Sequence, residues 1–554
     1  MKDFAQLYAT LDASTSTRRK TQAMVAYFGR AAPADAAWAV YFLAGGRPGR
    51  PIPSTELRVA LLEATGLPEW LFEESYQAVG DLAETIAHLL EPSGQENNLG
   101  LAQWITERIL PIRGQPPETQ RQAVRDWWQQ TDETSRFVLN KLLTGGMRVG
   151  VSKLLVVRAL AEAFELDAKR VSQRIMGYTD KKFQPDSAAF KRLVAPAASG
   201  PAAQDPELAS QPYPFFLAHP IKADVESLGD STQWQAEWKW DGIRGQLIQR
   251  MGQTWIWSRG EELMNERFPE LMSLNPSLPD GTVLDGELLC WDHNQDHVLP
   301  FSILQQRIGR KNLTAKILNQ APVIFMAYDV LERNGVDVRE HPQRQRRQWL
   351  EVLCQACAQP ALKTSPLLSA NDPAGGWDEL AAQRERAREL GVEGLMLKQL
   401  DALYGVGRTR NDSGGQWWKW KLDPMTVDCV LIYAQRGHGR RASLYTDYTF
   451  AVWDKPAGEP DRQLVPFAKA YSGLTDKEIA QVDAVIRKTT REKFGPVRSV
   501  EPTLVFELGF EGIAASSRHK SGIAVRFPRM LRERPDKTVE QADTLAVLRS
   551  LLPA

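Results

Sequence analysis

Ten consecutive residues, Glu237-Trp238-Lys239-Trp240-Asp241-Gly242-Ile243-Arg244-Gly245-Gln246, constrain this chain more than any other stretch. In an extended segment successive side chains point to opposite faces, so Glu237, Lys239 and Asp241 would share one face and Trp238 and Trp240 the other. The polar face then lines a cleft. Gly242 allows a turn, and Arg244 with Gln246 carries the polar face onward. On this reading Lys239 is a held nucleophile; the alternative is an edge strand carrying a solvated charge.

The segment Lys-x-Asp-Gly-x-Arg resembles the signature of the covalent nucleotidyltransferases: ATP-dependent DNA ligases, RNA ligases and mRNA capping enzymes. Further segments follow in that group's order. They are Ser258-Arg259-Gly260-Glu261, Leu284-Asp285-Gly286-Glu287, Phe325-Met326-Ala327-Tyr328-Asp329, Glu393-Gly394-Leu395-Met396-Leu397-Lys398, Lys419-Trp420-Lys421 and Arg526-Phe527-Pro528-Arg529. As a set they resemble the ATP-dependent DNA ligases, in the three-domain form found among bacterial accessory enzymes.

The resemblance implies that Lys239 attacks the α-phosphate of ATP and becomes lysine-AMP. A free lysine, with a pKa of about 10.4, is almost fully protonated at neutral pH, so neighbouring cations must lower it. Lys419 and Lys421 stand two apart, so in a strand both face one way while Trp418 and Trp420 pack behind. Together with Mg2+ or Mn2+ they would offset charge on the phosphoryl oxygens. By the same resemblance Glu287 and Arg244 contact the ribose, Tyr328 stacks on adenine and Glu237 meets the adenine edge. Glu393, with Glu287, holds the divalent metal, which prefers carboxylate and phosphate oxygens. Arg259 meets the nick phosphate, where its fork of donors suits an oxyanion. Arg526, Arg529, Asp536 and Lys537 match the last motif, which orients the β- and γ-phosphates, so their domain must close over the cleft and reopen.

Composition narrows the partners. Lys plus Arg equals Asp plus Glu at 68 each, so any basic footprint for nucleic acid must be local. Residues 344–347 and 518–537 are the candidates, either as phosphate contacts or as solvated faces. The apolar stretch 36–44 is far shorter than the ~20 residues that span a bilayer, and the start has no basic-then-apolar leader pattern, which predicts a cytoplasmic protein without a membrane partner. The cysteines, at 290, 354, 357 and 429, are too scattered for a disulfide framework. Cys354 and Cys357 fall in a helical pattern and are expected to pack rather than to bind zinc.

Three domains are expected. Residues 1–204 form an all-α DNA-binding domain with a Pro/Ala/Ser-rich linker at 195–214, residues 205–423 an α+β nucleotidyltransferase domain, and residues 424–554 a β-barrel of the OB-fold type. In the first, Thr17 is placed at a helix cap, and an apolar stripe at Leu139, Leu142 and Leu143 ends at Gly145-Gly146, before a second helix capped by Ser152. Arg148 between them either holds a DNA phosphate or belongs to a packing joint. In the second, strands are expected at 246–249, 254–258, 283–291 and 323–331, with helices at 339–358 and 376–390. In the third, strands at 426–434 and 444–453 are joined by a turn at 436–441. A helix there opens with the capping box Thr475/Glu478 and is expected to reach 494. The whole implies a monomeric DNA ligase that seals 3'-hydroxyl/5'-phosphate nicks in duplex DNA, nucleoid-associated and active in repair beside helicase and nuclease partners. An RNA ligase, a capping enzyme and a non-catalytic DNA-end scaffold are the alternatives.

Overall fold

The computed structural model describes residues 1–91, 98–147, 149–180, 183–196, 209–221, 224–310, 312–368, 376–407, 416–437, 441, 443–494 and 497–552. The chain divides into two compact units: residues 1–49, 98–108 and 147–422 in the first, and residues 50–97, 109–146 and 423–554 in the second. No helix of the described residues is long and apolar enough to cross a membrane.

Up to Leu193 the described segments are helices and their connections. Helix Glu133–Thr144 starts where the Asp132 carboxylate accepts from the Ser135 N–H at 2.9 Å, and it stops at Gly145 with φ 74°. Ser152 likewise caps Lys153–Ala163, accepting from the Leu155 N–H at 3.2 Å. The cap expected at Thr17 moves by one residue: Ser16 accepts from Arg19, and Thr17 is the first helical residue. Arg148 and residues 197–208 of the expected linker lie outside the described residues.

The end of the expected linker is a strap, not a loose tether. Ala209 and Tyr213 are buried. Gln246 accepts from the Tyr213 N–H at 2.7 Å and donates to its carbonyl at 2.8 Å, while Trp257 Nε1 donates to Ser210 at 2.6 Å. Arg250 reaches Gln211 O at 3.0 Å and pairs with Glu332, which also accepts from the Tyr213 hydroxyl at 2.6 Å. Buried backbone needs partners, and the polar side chains of the first sheet supply them.

Two sheets follow. In the larger, Gln253–Ser258, Ile243–Arg250, Thr282–Asp292, Val323–Arg333 and Val336–Asp337 lie side by side, and Gln343–Cys357 packs on one face. In the smaller the order is His219–Pro220, Trp417–Lys421, Gly394–Gln399, Trp234–Trp238 and Leu367–Leu368. Cys354 and Cys357 are buried in the apolar core beneath the larger sheet, where burial pushes the Cys354 thiol up to about 11. That core also overturns one basic footprint. Helical spacing turns Arg346 and Arg347 inward with Leu350. Arg346 donates to Asp329 at 2.9 and 3.0 Å and is fully buried, and Arg347 donates to the Ser365 carbonyl at 2.8 Å, so neither can meet a phosphate.

In the second unit, Met425–Arg436 pairs with Tyr445–Trp453 on one side and with Val497–Val500 and Val505–Phe510 on the other. Leu464–Ala470 and Arg529–Glu533 extend the sheet around a core of Val427, Phe450, Ile486 and Phe506. This is a strand-rich domain, as expected of an OB-fold. Its helix Asp476–Thr489 opens with the predicted box, Thr475 N–H to Glu478 at 2.7 Å and Glu478 N–H to the Thr475 hydroxyl at 3.3 Å. It ends five residues earlier than expected, because Thr490–Phe494 leave it as a strand paired to Val497–Val500. Residues 438–440 of the predicted 436–441 turn lie outside the described residues.

Breaking a buried ion pair strands a charge in the core, so Arg346→Met should cost about 3–5 kcal/mol in urea unfolding. Arg344→Met, which loses an exposed pair with Asp401, should cost less than about 1 kcal/mol. Similar losses for the two variants would contradict the assignment of Arg346 to the core.

Candidate functional site

Lys239 stands where the chain crosses from one sheet to the other. Trp234–Trp238 belongs to the smaller sheet and Ile243–Arg250 to the larger, so residues 239–242 bridge them rather than forming one extended face. The two tryptophans accordingly part company, contrary to expectation. Trp238 packs with Leu395 and Trp420, whereas Trp240 lies 6.1 Å from the Trp291 ring and donates to the Ser365 hydroxyl at 3.0 Å. Gly242 is there for close approach: a Cβ on it would collide with the Leu288 carbonyl oxygen.

The smaller sheet holds the lysine by its backbone. Lys239 N–H donates to Gly394 O and Glu393 N–H donates to Lys239 O, each at 2.8 Å. That register brings the Lys239 ammonium onto the Glu393 carboxylate, and Lys421 Nζ lies 3.7 Å from the same group. Lys419 pairs with Met396 across the strands, while Trp418 and Trp420 pack into the core behind, as the spacing predicts. Arg384 fixes the end of that strand, donating to Lys421 O at 2.9 and 2.7 Å. Nothing in the sequence pattern marked Arg384.

From the larger sheet, Glu287 stands opposite Arg244. Burial pushes the Glu287 carboxyl up to about 8, although the charges of Lys239 and Arg244 pull it down, so it carries a proton at neutral pH. Glu393, and Glu287 once a metal displaces its proton, offer the two carboxylates that magnesium takes when phosphate and water complete its shell, so the donor set fits that ion. Arg244 directs Nε and Nη2 to Asp285 at 3.2 and 2.7 Å and Nη1 to Phe216 O at 2.6 Å. Burial opposes its charge, yet Asp285 beside it holds the guanidinium well above its usual range. Tyr328 carries Lys398 Nζ 4.5 Å from its ring centroid and the Arg244 guanidinium at 5.8 Å. Glu237 is buried and pairs with Lys398 at 2.9 Å. Arg259 is exposed, its N–H on Arg244 O at 2.8 Å.

No sequence pattern gives Asp285 or Lys398 a role, although both stand inside the recurring motifs. What marks them is cross-strand register, which a linear pattern does not show.

In the second unit Arg526 ends the strand Ile523–Arg526, its guanidinium 5.2 Å from the Phe527 ring, and Arg529 lies 3.5 Å from Glu511. Lys537 is bonded to Asp428, which also accepts from Arg534 at 2.9 Å. The Arg534 hydrogen bond holds Asp536 down to about 2. Arg534, two positions before Asp536, is a further residue that the motif pattern does not single out.

Three family models match the chain: "DNA ligase N terminus" over residues 1–161, "ATP dependent DNA ligase domain" over 215–421 and "ATP dependent DNA ligase C terminal region" over 441–537. A probable DNA ligase of Koribacter versatilis is 31% identical, covering 97% of this chain and 95% of its own length. A DNA ligase of Thermococcus fumicolans is 28% identical over 98% of this chain and 96% of its own. A solved structure described as Pmar-Lig_PreS3 superposes with a TM-score of 0.60 at 15% identity, covering 96% of this chain and 99% of that one, a likeness of fold.

Because Glu287 titrates near 8 when folded instead of near 4.5, the folded protein holds that proton more tightly than the unfolded chain. Its stabilisation is full below the unfolded value and is lost as pH rises through the folded one. Glu287→Gln cannot titrate, so in metal-free buffer its melting temperature should gain on the wild type from about pH 5 to about pH 8 and hold that gain above it. A gap that stays constant across that range would contradict the raised carboxyl.

Proposed function

We propose, since this chain belongs to the ATP-dependent DNA ligase family, that it seals 3'-hydroxyl/5'-phosphate nicks in duplex DNA through lysine-AMP and then DNA-adenylate. The observation that carries the reading is Lys239 on Glu393, with Lys421 beside the same carboxylate and Glu287 close enough to feel the lysine's charge. Lys239 attacks the α-phosphate, and Lys419 and Lys421 favour its neutral amine and stabilise the charge growing on the phosphoryl oxygens. Glu393 and Glu287 would hold Mg2+ or Mn2+, whose charge offsets that of the same oxygens. Tyr328 gives adenine an aromatic face and Glu237 an acceptor at its edge, while Arg244 and Glu287 meet the ribose. Arg259 takes the nick 5'-phosphate. Arg526, Arg529 and Lys537 orient the pyrophosphate as it leaves, with Asp536 and Arg534 holding that segment in place.

The working division is a helical DNA-binding domain to residue 204, a nucleotidyltransferase domain at 205–423 and an OB-fold from 424. The enzyme acts as a monomer in the cytoplasm, on nicked DNA, in repair.

Lys239→Ala should abolish the AMP adduct seen by mass spectrometry after incubation with ATP and Mg2+, and leave nick binding largely intact. A full adduct on that variant, or an adduct formed from GTP instead of ATP by the wild type, would defeat the reading. Deleting residues 1–204 should preserve lysine-AMP formation and weaken nicked-duplex binding. The salt dependence should become shallower by roughly one unit of slope for each phosphate that the shortened protein no longer neutralises. Unchanged affinity and slope in binding titrations would assign the helical domain to another task.

A further inference from the structure

Within the first unit, the loop that follows strand Gln253–Ser258 is docked on the helical segments. Glu261 in that loop has φ 61°, the left-handed region that a residue with a side chain adopts under constraint. Such strain persists where the surroundings over-determine the backbone, and three groups do so here. The Lys153 ammonium, on the first residue of helix Lys153–Ala163, is bonded to the Glu261 carboxylate. The Thr179 hydroxyl donates to the same carboxylate at 3.3 Å. Glu261 N–H closes the loop on Ser258 O at 2.9 Å.

The pair is not a surface decoration. Its side chains are 21% and 15% exposed, Lys153 lies 3.8 Å from Met176 Sδ, and a Cβ on neighbouring Gly177 would touch the Trp257 ring at 3.0 Å. Two positions before Glu261, and tied by its N–H to Arg244 O at 2.8 Å, stands Arg259. The same few residues thus join a helix start to the arginine loop. Removing either charge would leave the other in a half-buried seat that cannot fully solvate it.

We propose that Lys153 and Glu261 are positioning residues for the DNA-dependent steps: their ion pair sets the loop bearing Arg259 relative to the helical segments. The duplex those segments hold then presents its nick phosphate to Arg259. The proposal rests on the ligase reading above. Lysine adenylylation does not use this pair, because no DNA phosphate takes part in it, whereas adenylate transfer to the nick and sealing both do.

The test uses the full-length chain with Lys153→Glu, Glu261→Lys and the double exchange. Two rates are read for each: lysine-AMP formation from ATP, and single-turnover sealing of a nicked duplex that already carries 5'-AMP. Each single variant should lose at least about tenfold in sealing and stay within about twofold of wild type in adenylylation. The double exchange, which restores the pair with its charges reversed, should regain most of the sealing rate. Glu261→Gln, nearly the same shape without the charge, should show the same split more mildly and covers the case in which a reversal fails to fold. Wild-type sealing by the single variants, equal losses in both rates, faster sealing, or no recovery in the double exchange would overturn the proposal. A wild-type protein that forms no lysine-AMP would instead defeat the ligase reading, so the two failures are distinguishable.

Discussion

Everything in the central fold hangs on the close approach of residue 242 to the Leu288 carbonyl. Because no side chain fits there, the chain can leave one sheet and enter the next within four residues, and the lysine lands on the seam. From one sheet it receives backbone hydrogen bonds that fix its position, and from the other it faces Glu287. Neither sheet alone supplies both. A side chain held by regular ladders keeps its geometry better than one on a free loop, which is what in-line attack on phosphorus requires.

Buried charges of the central strands are arranged in pairs, each with a partner from another strand or helix. Arg244 has Asp285, Lys398 has Glu237, Arg250 has Glu332 and Arg346 has Asp329. Pairs this deep contribute little net stability once desolvation is counted, but they make alternative registers expensive. The protonated Glu287 is the exception: burial outweighs the pull of Lys239 and Arg244, so this carboxyl keeps its proton.

Much of this was legible in the linear chain. Residues 283–291 and 323–331 read correctly as strands because β-branched and aromatic residues fall between turn signals, and the Thr475/Glu478 box marks its helix because both partners are local. The motif residues could be named because they recur in order. What escaped was whatever depends on a distant partner. Arg346 looked like part of a solvated basic run until Asp329 appeared beneath it, and Trp238 and Trp240 looked like one face until the chain changed sheets between them. The left-handed Glu261 and the Arg384 clamp on Lys421 leave no mark in a sequence pattern at all.

The strap at Ala209 to Tyr213 bears on modularity. Gln246, Arg250, Trp257 and Glu332 all face inward, and each satisfies its hydrogen bonds with backbone or side chain from a segment lying upstream of the first strand. The physical edge of the central domain is therefore drawn by its polar interior, ahead of the position where strand pairing begins. A graft of the catalytic module into another architecture would have to carry those residues with it, as a keystone travels with its arch.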